Sequence, residues 1–176
     1  AGVIVEKASP TFEHGEAQGA AVAHARRFRE PGGGDRVGWW IAVEVDVELE
    51  PHELYRPDVV GWRRDRTPER PRGWPVRICP DWVCEILSPS TAARDVGHKL
   101  RTYHHHGVAH VWIVDPEHHT LTVYRHGAEG YVVVLAAGVD ETIAAEPFER
   151  VPLQVGVLFG AEDDTPTTLP RSGPSR

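Results

Sequence analysis

Short apolar runs predict most of the β-strands of this chain. The runs at 82–87 and 108–115 are almost entirely apolar, which is typical of strands that are buried on both faces. Residues 39–49 instead alternate between apolar and mostly acidic side chains, which predicts a half-buried strand with an acidic outer face. Further short strands are predicted at 2–7, 55–62, 120–125 and 131–135.

Two helices are predicted between these strands. The first begins at Thr11 or Ser9, since either side chain can cap the free amides of a first helical turn, and it continues to about Arg29. The second begins after a capping side chain at 90–91 and ends at Gly107, a residue that suits the position after a helix.

The order of these elements predicts an α+β fold, with helices flanking a mixed, mostly antiparallel sheet. The strands at 39–49 and 55–62 are separated by a short turn, so we expect them to pair as a hairpin. The apolar cluster at 148–159 is expected to dock on the core.

Length and composition favour one soluble domain. The chain has 176 residues, of which 40% are hydrophobic and 26% are charged, as is ordinary for a globular protein. We expect a single domain at 1–160 and a flexible tail at 161–176, where Thr, Pro, Asp and Ser are frequent. The sequence has neither an apolar run of membrane-spanning length nor a signal-peptide pattern. It has two cysteines that are not expected to form a disulfide, which favours a reducing cytoplasm.

A carboxylate interrupts the apolar strand at 82–87. An unpaired buried carboxylate costs several kcal/mol, so Glu85 requires a cation, a metal ion or a proton. On the helix that follows, Asp95, Lys99 and Tyr103 recur every fourth residue and therefore share one face. Asp58 begins another apolar strand and is expected at the mouth of the sheet.

Two carboxylates from neighbouring strands and a lysine are the components of a metal-dependent phosphodiester hydrolase. Oxygen ligands hold Mg²⁺ while leaving coordination positions for phosphate and water, and a lysine can offset developing negative charge. The alternative is a buried ion pair without catalysis, since such pairs also occur in structural cores.

The same residues carry a resemblance to a known family. The runs PDVVGW, WVCEILSPST, DVGHKLRTY, GVAHVWIVDP and LTVYR resemble the Uma-type restriction-endonuclease family, a branch of the PD-(D/E)XK nuclease superfamily, over roughly residues 10 to 160. The resemblance implies a restriction-endonuclease-like core and a Mg²⁺- or Mn²⁺-dependent endonuclease acting on DNA. Cutting both strands of DNA would also favour a homodimer with two symmetric sites.

The resemblance also implies roles for individual residues. Asp58 and Glu85 would bind the metal, with help from the backbone carbonyl of Ile86. In the usual superfamily pattern the catalytic lysine lies two residues after the strand acid, where this chain has Leu87. The family takes its lysine from the next helix, which implies Lys99 as the catalytic amine. Asp95 also matches the family pattern as a catalytic residue.

Several other polar residues have two open interpretations. His14 and Glu16 lie early in the first helix, where they either join the site or, for the acid, complement the helix dipole. Glu44 is either a surface acid or a residue of the cleft. The three histidines at 104–106 cannot all bind one metal from a helix and favour a polar helix end. Cys79 and Cys84 would point to opposite faces of a strand, which disfavours a disulfide and a zinc site.

The charge balance keeps a second function open. The formal net charge is −7, which is unfavourable for binding nucleic acid unless a local basic patch exists. Nine arginines supply either such a patch or a solvated loop: Arg26, Arg27, Arg29, Arg63, Arg64, Arg66, Arg70, Arg72 and Arg77. The alternative function is therefore a non-catalytic module that binds nucleic acid or protein on a nuclease scaffold. Hydrolysis of another phosphoester would use the same acids.

Overall fold

The computed structural model of the chain describes residues 10–28, 38–88 and 92–163, without the side chains of 92–95. The predicted strand at 2–7, the predicted cap at 90–91 and the predicted tail from residue 164 onward lie outside these residues. Within them, no helix is both long enough and apolar enough to cross a membrane.

The described residues form ten strands, two α-helices and a 3-10 helix. The strands are β1 (Trp39–Val43), β2 (Val47–Glu50), β3 (Glu53–Tyr55), β4 (Val59–Arg63), β5 (Trp82–Ile86), β6 (His110–Asp115), β7 (Thr120–His126), β8 (Tyr131–Gly138), β9 (Thr142–Ile143) and β10 (Leu153–Gln154). The helices are α1 (Phe12–Arg27), α2 (Ala92–His105) and the 3-10 helix Val155–Phe159.

Six strands make the main sheet, in the order β1-β4-β5-β6-β7-β8. β5 and β6 run parallel, and the other neighbouring pairs of this sheet are antiparallel. A parallel pair needs a long crossover, and α2 supplies it between β5 and β6. The predicted α+β class, with a mixed and mostly antiparallel sheet, is confirmed.

The two helices cover opposite faces of the sheet. Register places Cys84 beside Trp112 on one face, and these residues share a hydrophobic cluster with the alanines of α1. Their neighbours Val83 and Val111 point to the other face, where they cluster with Tyr103 of α2. Glu85 follows the same alternation and therefore points toward α2.

The predicted single strand at 39–49 is wrong, because the chain leaves the main sheet at Glu44. Glu44 has a φ of 53°, and after it β2 pairs with β3 in a separate two-stranded sheet. Asp46 points inward and not to the solvent, since it binds Arg56 at 2.7 Å and the Trp74 indole N–H at 2.7 Å. The expected antiparallel pairing is present between β1 and β4, but the turn at 51–52 joins β2 to β3, so β1 and β4 are not a simple hairpin.

The helix limits and the C-terminal docking are close to expectation. Thr11 caps α1 by accepting a hydrogen bond from the His14 amide, and the helix ends at Arg27, two residues earlier than predicted. Phe148 is fully buried and lies edge-on to Trp82 and Trp112, with ring centroids 4.8 and 5.7 Å away. The segment after β8 thus completes the core beneath α1.

His24 of α1 makes the stability of this core depend on pH. Its ring lies 5.8 Å from that of Trp112, and neither ring nitrogen has a hydrogen-bond partner among the described residues. Burial, with repulsion from Arg27, lowers the pKa of His24 from 6.5 to about 4. Between these values the unfolded chain binds the extra proton, so the free energy of unfolding rises with pH and levels off above 6.5.

We expect His24→Leu to remove this dependence. Relative to the variant, the wild type should lose about 2 to 4 kcal/mol of unfolding free energy as the pH falls from 6.5 to 4. Urea unfolding at a series of pH values measures the difference. The exposed His105→Leu is the control for loss of a histidine, and parallel curves for wild type and His24→Leu would contradict the assignment.

Candidate active site

Asp58 and Glu85 lie close together where the interior strands β4 and β5 meet end to start. β4 and β5 are antiparallel and Val59 is paired with Cys84, so the start of β4 meets the end of β5. Asp58 is 2% exposed, and its Oδ2 accepts a hydrogen bond from the amide of Ile86 at 2.7 Å. This bond extends the β4–β5 pairing through a side chain and holds the Asp58 carboxylate beside the residue that follows Glu85.

Glu85 is held by two side chains of α2. Its Oε2 accepts a hydrogen bond from Lys99 Nζ at 2.9 Å, and its Oε1 accepts one from the Tyr103 hydroxyl at 2.6 Å. Lys99 and Tyr103 are four residues apart and therefore reach the strand from the same helical face. The expected grouping of Glu85 with Lys99 is present, and Tyr103 serves as a hydrogen-bond donor, as its high ordinary pKa suggests.

The surroundings of Glu85 favour its neutral form more than water does. Burial raises the pKa of this carboxyl, the charge of Lys99 partly offsets the rise, and the negative charge of Asp58 adds to it. The folded protein therefore retains the Glu85 proton to a higher pH than the unfolded chain. A cation that binds the ionised carboxylate would compensate the same cost of burial.

A second group of ligand atoms surrounds Asp58 on the side of α1. His14, Glu44 and Asp58 each place one ligand atom within 4.8 Å of those of the other two. His14 Nε2 lies 3.3 Å from Asp58 Oδ1, yet it is buried without a properly oriented hydrogen-bond partner among the residues described. Gln18, one helical turn after His14, donates to Glu44 Oε1 and to the Asp58 carbonyl.

These donors suit a divalent cation. Carboxylate oxygens are the preferred ligands of Mg²⁺ and Mn²⁺, and an imidazole nitrogen is compatible with the softer transition metals. An orphaned His14 nitrogen beside a buried carboxylate is the arrangement that a bound ion would satisfy. His14, Glu44 and Asp58 are thus available as ligands of one ion. Glu85 is not part of that group, and its two oxygens accept hydrogen bonds from Lys99 and Tyr103.

The remaining sequence candidates fall in different places. The side chain of Asp95 lies outside the described residues, although its backbone belongs to α2. Glu16 lies against Gly160, where an added Cβ atom would be 2.9 Å from its Oε2. Glu44 is exposed, as in the simpler interpretation, and one of its carboxylate oxygens lies within 4.8 Å of the ligand atoms of His14 and Asp58. Gln18 was missed, and its spacing of four from His14 was the available indication.

The arginines are partly neutralised. Arg63 pairs with Asp65, Arg66 with Asp81 and Arg77 with Glu48. Arg27 pairs with Asp163, and Arg29 lies outside the described residues. The remaining four arginines lie near the edge strand β1, where an open groove of about 600 Å³ is lined by arginines and tryptophans. Those residues include Arg26, Arg64, Arg70, Arg72, Trp39 and Trp40. The Arg64 guanidinium lies 3.9 Å above the Trp40 ring, in a cation–π contact.

The two cysteines are free thiols, as expected. Cys84 is fully buried. Burial, together with the negative charges of Asp58 and Glu85, raises the pKa of its thiol well above the usual value. Cys79 is half-buried and directs its Sγ to the His106 carbonyl at 3.2 Å. Neither is poised as a reactive thiolate.

The mixed sheet with its α2 crossover defines an α+β fold, and the carboxylates at its strand ends are compatible with a nuclease. Sequence comparison then places the chain more closely, because residues 1–156 match the Uma2 family model, described as "Putative restriction endonuclease". The match covers most of the chain, and the chain belongs to this family.

A solved structure has the same fold. It is a crystal structure of a putative nuclease belonging to DUF820 from Anabaena variabilis, with a TM-score of 0.68 and 23% sequence identity. The similarity covers 88% of this chain and 84% of that one. None of the curated proteins matches this chain at a significant level.

We expect Glu85→Gln to remove divalent-metal binding while leaving the fold intact. Glutamine retains the shape and can accept the Tyr103 hydroxyl, and it removes a buried charge whose desolvation is costly. Mg²⁺ or Mn²⁺ should raise the melting temperature of the wild type by mass action and should not raise that of the variant. Equal metal-dependent shifts in both proteins would contradict a role for Glu85 as a ligand.

Tyr103→Phe is expected to lower the free energy of unfolding by about 1 to 3 kcal/mol. The variant leaves Glu85 buried with one donor fewer, and a hydrogen bond to a charged group contributes more than a neutral one. Tyr131→Phe is the matched control, because its hydroxyl donates to the neutral Val108 carbonyl at 2.7 Å. Urea unfolding should give a smaller loss for the control, and the reverse order would argue against a charged Glu85.

Proposed function

We propose that this protein is a divalent-metal-dependent endonuclease that hydrolyses phosphodiester bonds in DNA, and that it acts in the cytoplasm. The observation that supports this function best is the 2.9 Å hydrogen bond from Lys99 Nζ to buried Glu85. Asp58 lies at the same strand ends, where it accepts a hydrogen bond from the Ile86 amide. Membership of a restriction-endonuclease family supports the same class of reaction.

In this proposal Asp58 and Glu85 hold the metal, assisted by the carbonyl of Ile86. The ion is Mg²⁺ or Mn²⁺, which would polarise the scissile phosphate and lower the pKa of a bound water. His14 is an additional ligand or the group that orients Asp58, since its Nε2 already lies 3.3 Å from Asp58 Oδ1. The imidazole would favour Mn²⁺ over Mg²⁺.

Lys99 is assigned as the catalytic amine. Its ammonium group contacts Glu85, and its side chain is 25% exposed, so Lys99 is partly accessible from solvent. From that position it can stabilise the negative charge that develops on the phosphate, or orient the attacking water. Asp95 is one helical turn before Lys99 on α2 and is assigned to the same catalytic group.

The arginine- and tryptophan-lined groove supports DNA as the substrate. Guanidinium groups bind phosphates, and indole rings stack on unpaired bases. A local basic surface of this kind offsets the overall charge of −7. A homodimer would provide one such groove and one site for each DNA strand.

The direct test is nicking of supercoiled plasmid with Mn²⁺ or Mg²⁺, wild type beside Lys99→Ala. The variant should be slower by about a hundredfold or more, the usual cost of losing one preorganised catalytic donor. Arg101→Ala is the control, because it removes an exposed positive charge from the same helix.

Equal nicking by wild type and Lys99→Ala would show that the activity arises elsewhere or uses another amine. If no metal supports nicking but the wild type still retards DNA in a gel, the protein is a non-catalytic binding module. Loss of activity in Arg101→Ala would instead attribute the effect to general charge.

A further inference from the structure

We propose that the C-terminal end of α2 carries a second metal site, built for a transition-metal ion such as Zn²⁺ by Glu50, His105 and His106. One ligand atom from each of these three side chains lies within 4.8 Å of the other two. The group belongs to α2 and the β2–β3 hairpin, and it shares no residue with the site around Asp58 and Glu85. The proposal therefore stands independently of nuclease activity.

The side chains of His105 and His106 can approach one another because α2 ends at His105. Gly107 has a φ of 77°, so His106 already lies in the turn that leaves the helix. The two rings are perpendicular, with centroids 5.0 Å apart. In a continuing helix, adjacent side chains would diverge by about 100° around the axis.

His104 is excluded from the group by its own contacts. Its ring stacks on His126 with centroids 4.1 Å apart, and its Nε2 lies 2.8 Å from the Gly127 carbonyl. This leaves His105 and His106 as the two histidines of the proposed site.

Glu50 lies on the β2–β3 hairpin, which contacts α2. The Tyr55 hydroxyl of β3 lies 3.4 Å from Thr102 Oγ1, and the Tyr55 ring packs edge-on to Tyr103. Glu50 stands beside the β-bulge of this hairpin and already contacts His106 Nε2 at 2.8 Å through its Oε1. Two of the three ligands are thus in place before an ion arrives.

The chemistry of the group selects the metal. Two imidazoles and one carboxylate form a frequent ligand set for Zn²⁺, with a further position left for water. Imidazole ligands disfavour Mg²⁺. A dication is also favoured where it lies, because the end of a helix carries partial negative charge on its carbonyl groups. His105 is exposed, so an ion can enter from solvent.

The test is titration of the full chain with Zn²⁺, observed by calorimetry and by the imidazole NMR signals of His105 and His106. Both signals should shift with the first equivalents of Zn²⁺ and should not shift with Mg²⁺. Glu50→Gln and His105→Ala should each weaken binding at this site by about tenfold or more, since losing even an outer-shell partner has effects of that size.

His118→Ala is the matched control, because His118 forms an exposed pair with Asp115 at 2.8 Å that is not part of the three-ligand group. It should bind Zn²⁺ like the wild type. Unshifted His105 and His106 signals at saturating Zn²⁺, or unchanged affinity in both Glu50→Gln and His105→Ala, would overturn the proposal. Both variants change partly exposed groups, and circular dichroism verifies that they remain folded.

Discussion

The structure depends on how the buried carboxylate of Glu85 is compensated. The group is 4% exposed near the end of the interior strand β5, where an isolated charge would cost several kcal/mol. Compensation comes from Lys99 and Tyr103, so α2 must lie on the β5 face with one defined rotation. The same helix is the crossover that makes β6 parallel to β5. One electrostatic requirement therefore fixes the helix, the central strand pair and the candidate catalytic amine together.

Much of this arrangement follows from the sequence because its causes are local. An apolar strand with one acid, followed by a helix with a lysine and a tyrosine four residues apart, leaves few ways to pair the charge. The family resemblance added Lys99 as the replacement for an amine at Leu87, which spacing alone does not provide. The apolar and alternating runs also predicted which segments form strands, and the short connection predicted the antiparallel pairing of β1 with β4.

The features that the sequence did not reveal are tertiary. The alternation at 39–49 continues through Glu44 and Asp46, yet the positive φ of Glu44 and the inward pairing of Asp46 with Arg56 break the strand. No local pattern distinguishes an acid that faces solvent from one that meets an arginine ten residues later. The approach of His14 and Gln18 to Asp58 likewise depends on how α1 packs across the sheet.

In the proposed function, a metal ion and Lys99 would bind different lone pairs of the Glu85 carboxylate. An ionised carboxylate offers about four acceptor positions on its two oxygens, and the two donors from α2 occupy one position on each. An ion bound by Asp58 and Glu85, as proposed, would use the positions that remain. Lys99 would then lie next to the ion because both bind one carboxylate. A neighbouring position of this kind suits a group that acts on a metal-bound phosphate. The interaction that makes burial of Glu85 tolerable would thus also place the amine for catalysis.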